Sequence, residues 1–264
     1  MKLIITIILA GLLIVMGLRL FSRKLLYFPA PLGPAQQKYL KTLGATVKEI
    51  SLPTEGATLR GWIIEKDMGN LPTIIYFGGN AEEVSLNIEE FSARVAANVV
   101  LVNYRGYGLS SGRPTEETLK ADGLTLFDFI AGKYSLSPWQ CGAWGRSLGS
   151  SIASYLVWKR GLGKLILTCP FDSIESVASG FYPAWLVGLV LTDSHKTVEF
   201  AGGIKADALI LAASDDEIIP MARTRALYDS LRAAKEMVVI QGAGHNTISE
   251  FKGYYGAVKG FLEK

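Results

Sequence analysis

Cysteine and histidine are scarce in this chain of 264 residues: Cys141, Cys169, His195 and His245 are all it has. Two cysteines cannot form a disulfide framework, and neither stands in a Cys-x-x-Cys metal spacing, so both read as buried core thiols. Two histidines argue against a multi-histidine metal centre, and neither a metal nor a cofactor is expected. Charge is sparse as well, at 19% of residues. Seven cations against Glu49 put residues 1–50 at +6, and with +3 in total the remainder carries −3. A nucleic-acid surface needs Lys and Arg clustered on the folded body, so no nucleic-acid partner is expected.

Apolar residues, by contrast, make up 49% of the chain, enough to bury a core, and the length suits one α/β domain with an appendage. The appendage is at the start. Residues 3–18 carry no charge and are followed by Arg19, Arg23 and Lys24, then Tyr27 and Phe28. At 1.5 Å per residue the run spans about 24 Å, and it reaches bilayer thickness once Leu20 and Phe21 are included and Arg19 snorkels. A cleaved leader would want a small-x-small site soon after the run, and Met16-Gly17-Leu18-Arg19 supplies none. Residues 1–24 therefore read as a membrane anchor with a basic flank, residues 25–264 as the body, and the bilayer as a partner. Lys2 and the amino terminus weighed against Arg19, Arg23 and Lys24 place the body on the cytoplasmic side.

In the body, 46–50 and 58–64 alternate with period two and read as an antiparallel hairpin. Six short apolar runs follow at 73–77, 99–103, 140–144, 164–168, 208–212 and 237–240. Helix-length stretches lie at 84–97, 115–131, 148–160, 221–233 and 247–263. Eight strands, six of them buried on both faces and alternating with helices, predict a mostly parallel sheet covered by helices on both sides. Residues 171–204 are too long for a simple crossover and carry Phe171, Phe181, Tyr182 and Trp185. They read as a small helical lid, with those four aromatics as candidate substrate contacts.

The pattern G-x-S-x-G occurs twice, at 108–112 and at 145–149. The first runs into Arg113-Pro114, so no helix starts at Ser110. The second follows a strand and opens a helix, the strand-turn-helix setting of a nucleophile elbow. A hydroxyl at a helix start lies where developing negative charge is favoured, and Ser147 is the candidate nucleophile. It needs a base. His245, just past the last strand, is in place for that role, whereas His195 in the lid insertion reads as a surface residue. An acid to orient the imidazole comes from Asp215, Asp216 or Glu217 after the penultimate strand; Asp216 is the first choice and Asp215 the second. The oxyanion needs two preorganised N–H groups, expected from Leu148 and from Asn80 in the loop after the strand at 73–77.

With Gly79-Asn80-Ala81, Tyr104-Arg105-Gly106-Tyr107-Gly108-x-Ser110, Gly145-x-Ser147-x-Gly149, Pro170-Phe171-x-Ser173, Asp216-x-x-Ile219-Pro220 and Gly244-His245-Asn246, the chain resembles the α/β-hydrolase superfamily. Within it, the likeness is to small N-terminally anchored hydrolases related to abhydrolase-domain proteins and a fungal cell-polarity protein. The resemblance covers nearly the whole chain. It implies an α/β-hydrolase fold and a serine hydrolase without a cofactor, with Ser147 as nucleophile, His245 as base and Asp216 as acid. It further implies small-molecule or lipid-like carboxylic esters or thioesters as substrates, and a domain outside the cytoplasm, against the charge count. One departure stands out: relatives commonly have His-Gly-Asn where this chain has Gly78-Gly79-Asn80. A serine peptidase and a catalytically idle membrane-tethered scaffold are the alternative readings.

Overall fold

A computed structural model describes residues 1–264; the side chain of residue 8 lies outside the description. The chain opens with α1 (Lys2–Leu26) and a short α2 (Pro34–Leu40), then β1 (Val47–Thr54), β2 (Ala57–Ile64) and β3 (Thr73–Phe77). Next come α3 (Ile88–Arg94), β4 (Asn98–Val102), α4 (Glu116–Tyr134), β5 (Cys141–Arg146), α5 (Leu148–Arg160) and β6 (Lys164–Thr168). Three short helices follow, α6 (Ile174–Ala178), α7 (Ala184–Val190) and α8 (Val198–Ala201). The chain ends with β7 (Asp207–Ala213), α9 (Met221–Ser230), β8 (Lys235–Ile240) and α10 (Lys252–Leu262).

All eight expected strands form one sheet, in the order β1-β2-β4-β3-β5-β6-β7-β8. β1, β2 and β4 pair antiparallel, and the rest of the sheet is parallel. This is the α/β-hydrolase fold. Period-two alternation divides the core between the two faces. Ile75, Phe77, Val100 and Val102 pack with Leu119 and Leu126 of α4 and Ile152 and Leu156 of α5. Ile74, Tyr76, Val99 and Leu101 turn the other way, onto Ile88 and Phe91 near α3 and Val258 and Phe261 of α10. Trp144, fully buried in β5, stacks on Phe91 at 4.9 Å and meets Tyr76 edge-on at 5.7 Å. Residues at β7 and β8 complete the same layers, so every central strand is covered twice.

Local signals set the helix starts. Thr115 caps α4 through a reciprocal pair with Thr118, and Glu116 and Glu117 sit in the first turn, where the helix dipole favours negative charge. The order β4-β3-β5 reverses direction at β3, so the loops after β3 and β5 diverge at neighbouring carboxyl ends, paired through Phe77 and Gly145. Such a switch point is where open α/β sheets bind ligands.

Two expectations need correction. The lid insertion does fold into short helices, but His195 is fully buried rather than at the surface. Its backbone is left-handed (φ 44°), its N–H donates to Glu116 at 2.8 Å, and its Nε2 lies 3.0 Å from the Tyr27 hydroxyl. Tyr27 donates its one proton to Asp193 at 2.9 Å, so His195 Nε2–H donates to the phenol oxygen. Phe171, expected at the lid, is also a core residue, because it follows β6 by three positions and has not yet left the interior.

Candidate active site

β5 ends at Arg146 and α5 begins at Leu148, so Ser147 is a one-residue turn, with φ 49° and ψ −115°. The two glycines of the pattern have steric causes. A Cβ at Gly145 would fall 2.3 Å from Gly149 O, and one at Gly149 would fall 2.1 Å from Phe77 O. The turn is tied down on both sides. Ser147 N–H donates to Thr168 O of β6 at 2.9 Å, and the Ser150 hydroxyl donates to Ser147 O at 2.6 Å.

The expected partners meet this serine. His245 Nε2 lies 3.0 Å from Ser147 Oγ, and His245 Nδ1 lies 2.8 Å from Asp216 Oδ2. An ionised carboxylate only accepts, so Nδ1 carries the ring proton, and Nε2 is left to accept the proton of the Ser147 hydroxyl. Asp216 Oδ1 also accepts from Ile218 N–H at 2.9 Å and Ile219 N–H at 2.7 Å. Burial pushes the Asp216 carboxyl up, but the His245 hydrogen bond and these two N–H groups outweigh it and hold it below the usual carboxylate range. Asp215 instead accepts from the Ser214 hydroxyl, and Glu217 accepts from His245 N–H at 3.1 Å.

Neither the Asn80 nor the Leu148 N–H donates to another protein group among the described residues. The Asn80 side chain is engaged through both its nitrogen and its oxygen. Its Nδ2 donates to Leu26 O at 2.6 Å, while its Oδ1 accepts from Phe28 N–H at 3.0 Å and from the Tyr107 hydroxyl at 2.8 Å. Asn80 and Phe28, with Arg146, Ile218, His245 and Asn246, line a cleft of about 480 Å³ over Ser147, within the range of small-molecule sites.

Cys169 follows β6 in a left-handed conformation (φ 46°), and its sulfur lies with the Asp216 and His245 donor atoms inside 4.8 Å. This is the one such cluster of cation-ligating side chains among the described residues. Burial and the neighbouring carboxylate push its thiol well above the ordinary range, so the sulfur stays protonated. Asp216 and His245 are meanwhile committed to each other, and the trio is poorly suited to a cation.

No family model matches the chain. The uncharacterized protein Rv2307c of Mycobacterium tuberculosis is 30% identical over 228 residues, covering 85% of this chain and 80% of that one. The α/β-hydrolase domain-containing protein WAV2 of Arabidopsis thaliana is 27% identical over 236 residues, covering 79% and 75%. Among solved structures, the Pyrococcus furiosus esterase Pf2001 superposes with a TM-score of 0.70 at 18% identity, covering 90% of this chain and 97% of that one. The enol-lactonase of Burkholderia xenovorans superposes with a TM-score of 0.62 at 16% identity, covering 81% and 100%.

The chain belongs to the α/β-hydrolase superfamily. Within this hydrolase fold, three features of the site went unread in the sequence. First, Glu82 is a hub: it accepts from Gly79 N–H at 2.6 Å, the Tyr76 hydroxyl at 2.7 Å, Asn87 Nδ2 at 2.7 Å and Arg146 at 2.9 Å. Arg146 also donates to Asn246 Oδ1 at 2.9 Å, so one ion pair joins the loop after β3, the serine turn and the histidine loop. Second, the Tyr104–Ser110 segment braces the loop after β3, with Tyr104 donating to Gly78 O at 2.7 Å and Tyr107 donating to Asn80. No spacing rule signals either arrangement. Third, the expected lid contacts lie elsewhere. Phe181, Tyr182 and Trp185 are 62%, 63% and 67% exposed, and none of them lines the cleft. Their stretch of chain turns toward α1, not over Ser147.

Proposed function

We propose that the protein is a membrane-anchored serine hydrolase that cleaves carboxylic esters or thioesters through an acyl-enzyme. The observation that carries the reading is the continuous chain from Ser147 Oγ through His245 to Asp216, at 3.0 and 2.8 Å, on a strained turn. Ser147 Oγ attacks the carbonyl carbon as its proton passes to His245 Nε2, and Asp216 stabilises the resulting imidazolium. The carbonyl oxygen becomes an oxyanion held by the Asn80 and Leu148 N–H groups, at the positive end of α5. Collapse of the tetrahedral adduct breaks the bond to the alcohol or thiol, which leaves with the proton from His245. Water, deprotonated by His245, then attacks the acyl-enzyme, releasing the acid and regenerating Ser147.

The anchor is supported by α1, one helix long and apolar enough to cross a membrane. At 1.5 Å per residue its 25 residues span about 37 Å, more than the hydrocarbon core requires. Nearness to the bilayer favours lipid-like or acylated substrates, and the domain is assigned to the extracytoplasmic side on family resemblance. The test is fluorophosphonate labelling together with hydrolysis of p-nitrophenyl esters across acyl lengths. Labelling and turnover should be present in the natural chain and absent in Ser147→Ala. Near-normal turnover by Ser147→Ala would end the proposal, and a folded natural chain that neither labels nor turns over would move the weight to a scaffold.

A further inference from the structure

Residues 176–192 are seventeen consecutive positions without a charge. They are too short, and too interrupted by Gly180 and Pro183, to form a second span; the structure divides them between the end of α6 and α7. Four large apolar side chains within nine positions, Phe181, Tyr182, Trp185 and Leu189, are half or more exposed. A soluble surface tolerates single exposed apolar residues, whereas a cluster of this kind marks an interaction face.

Its neighbour identifies the partner. The last two turns of α1 are docked on this segment: Arg19 donates to Leu189 O at 2.8 Å, Ser22 meets the Thr192 hydroxyl at 2.9 Å, and Arg23 pairs with Asp193 at 3.1 Å. Between α1 and the segment runs an apolar groove of about 440 Å³, walled by Leu18 and Leu25 on one side and Tyr182 and Leu186 on the other. The exposed aromatics thus continue the apolar surface of α1 instead of forming a separate patch. Trp and Tyr at the foot of such a helix are the residues that settle at headgroup level. The charges agree. The carboxylates flanking the uncharged run are paired, Asp172 with Arg223, Glu175 with Lys196 and Asp193 with Arg23. Arg19 and Lys24 have no carboxylate partner among the described residues, leaving a local positive excess that suits anionic headgroups.

We infer that α6, α7 and the foot of α1 form one seat on the bilayer, with Trp185 and its neighbours buried in the interface of a membrane containing anionic lipid. The inference rests on the membrane-anchored reading and adds an orientation to it. Leu25 and Leu26 wall the groove, while Phe28 lines the cleft over Ser147. Adjacent Cα atoms are about 3.8 Å apart, so the cleft opens within two residues of the end of the anchor. Seated in this way, the protein draws its substrate from the membrane surface, and the insertion is a platform and not a lid.

The test uses the full chain in phosphatidylcholine–phosphatidylglycerol vesicles carrying acyl-brominated phosphatidylcholine, which quenches only tryptophans in contact with lipid. Of the other four tryptophans, Trp62 and Trp144 are buried, Trp158 stacks on Phe200 of α8, and Trp139 is exposed before β5, at the amino-terminal end of that strand. Trp185→Phe should remove most of the quenching, and Trp139→Phe should leave it unchanged. Equal quenching in the natural chain and Trp185→Phe, in protein that floats with the vesicles, overturns the seat and leaves the anchor standing. Protein that does not float overturns both. The readout is independent of turnover, so the hydrolase reading is not at stake in it.

Discussion

Two loops of this protein carry the same five-residue pattern, and they do opposite things with it. At 145–149 the glycines remove Cβ atoms that would collide with backbone, and the serine between them is forced into a left-handed turn facing His245. At 108–112 the glycines themselves supply the positive φ angles, 53° and 88°, and the serine relaxes into the structure. Ser110 Oγ donates to Asn103 O at 2.9 Å and accepts from Arg60 N–H at 2.8 Å, so its hydroxyl closes a β-edge and has no imidazole to serve. Strain and an unsatisfied role go together at Ser147, and relaxation and satisfaction at Ser110. The two histidines divide in the same way, His245 aimed at the cleft and His195 buried as a structural strut.

The sharpest way to break this contrast is to remove each hydroxyl. Ser147→Ala should lower kcat by about a millionfold if serine and histidine act as a unit. Ser110→Ala should retain fluorophosphonate labelling and instead lose about 1–3 kcal/mol in a urea titration, because Arg60 N–H is left without a partner. The loop at 104–112 is secured by Arg105, whose Nε and terminal nitrogen donate to Asp122 at 2.6 and 2.8 Å in a buried pair. Arg105→Ala leaves that carboxylate uncompensated and should cost about 3–5 kcal/mol, with the melting temperature as readout.

The histidine contrast is sharpened by acid. Burial holds the His195 imidazole down to about 4, against about 6.5 in an unfolded chain. Between those values the unfolded chain binds more protons, so stability is complete above pH 6.5 and falls as the pH drops toward 4, by roughly 3 kcal/mol over the window. Urea midpoints at pH 7 and pH 4.5 should therefore differ less in His195→Gln than in the natural chain. An undiminished difference would mean that other groups carry the acid response. The smallest effect is expected from Tyr107→Phe, which removes one bond to Asn80. About 1 kcal/mol of lost bracing should appear as a roughly fivefold fall in kcat/KM on short esters, with little change in melting temperature.

Much of this was legible in the sequence because the signals are local. Each strand is a short apolar run whose face follows from parity, and the Ser147 turn declares itself through Gly145, Gly149 and the helix that follows. His245 could be picked out because only one other histidine exists. What could not be read depends on side chains that meet from distant parts of the chain. Glu82 carries no sequence signal, yet besides three donors within six residues of it, it accepts from Arg146 at the end of β5, 64 positions away. His195 reads as exposed beside Asp193 and Lys196, and its partners Tyr27, just past α1, and Glu116, at the start of α4, come from far along the chain. The insertion reads as a lid from its length and its aromatic content. Its aromatics are as prominent as expected, but nothing in a linear sequence states which neighbour an apolar helix faces.

The Asn80 side chain holds Leu26 O and Phe28 N–H while the residue itself lines the cleft. On the anchored reading, the last residue of the transmembrane helix and the proposed oxyanion donor are thus joined through one rigid amide. Displacements of about 1 Å at a reacting centre can change rates a hundredfold. Tilt of the helix, set by the thickness and curvature of the membrane around it, then becomes a mechanical input to turnover.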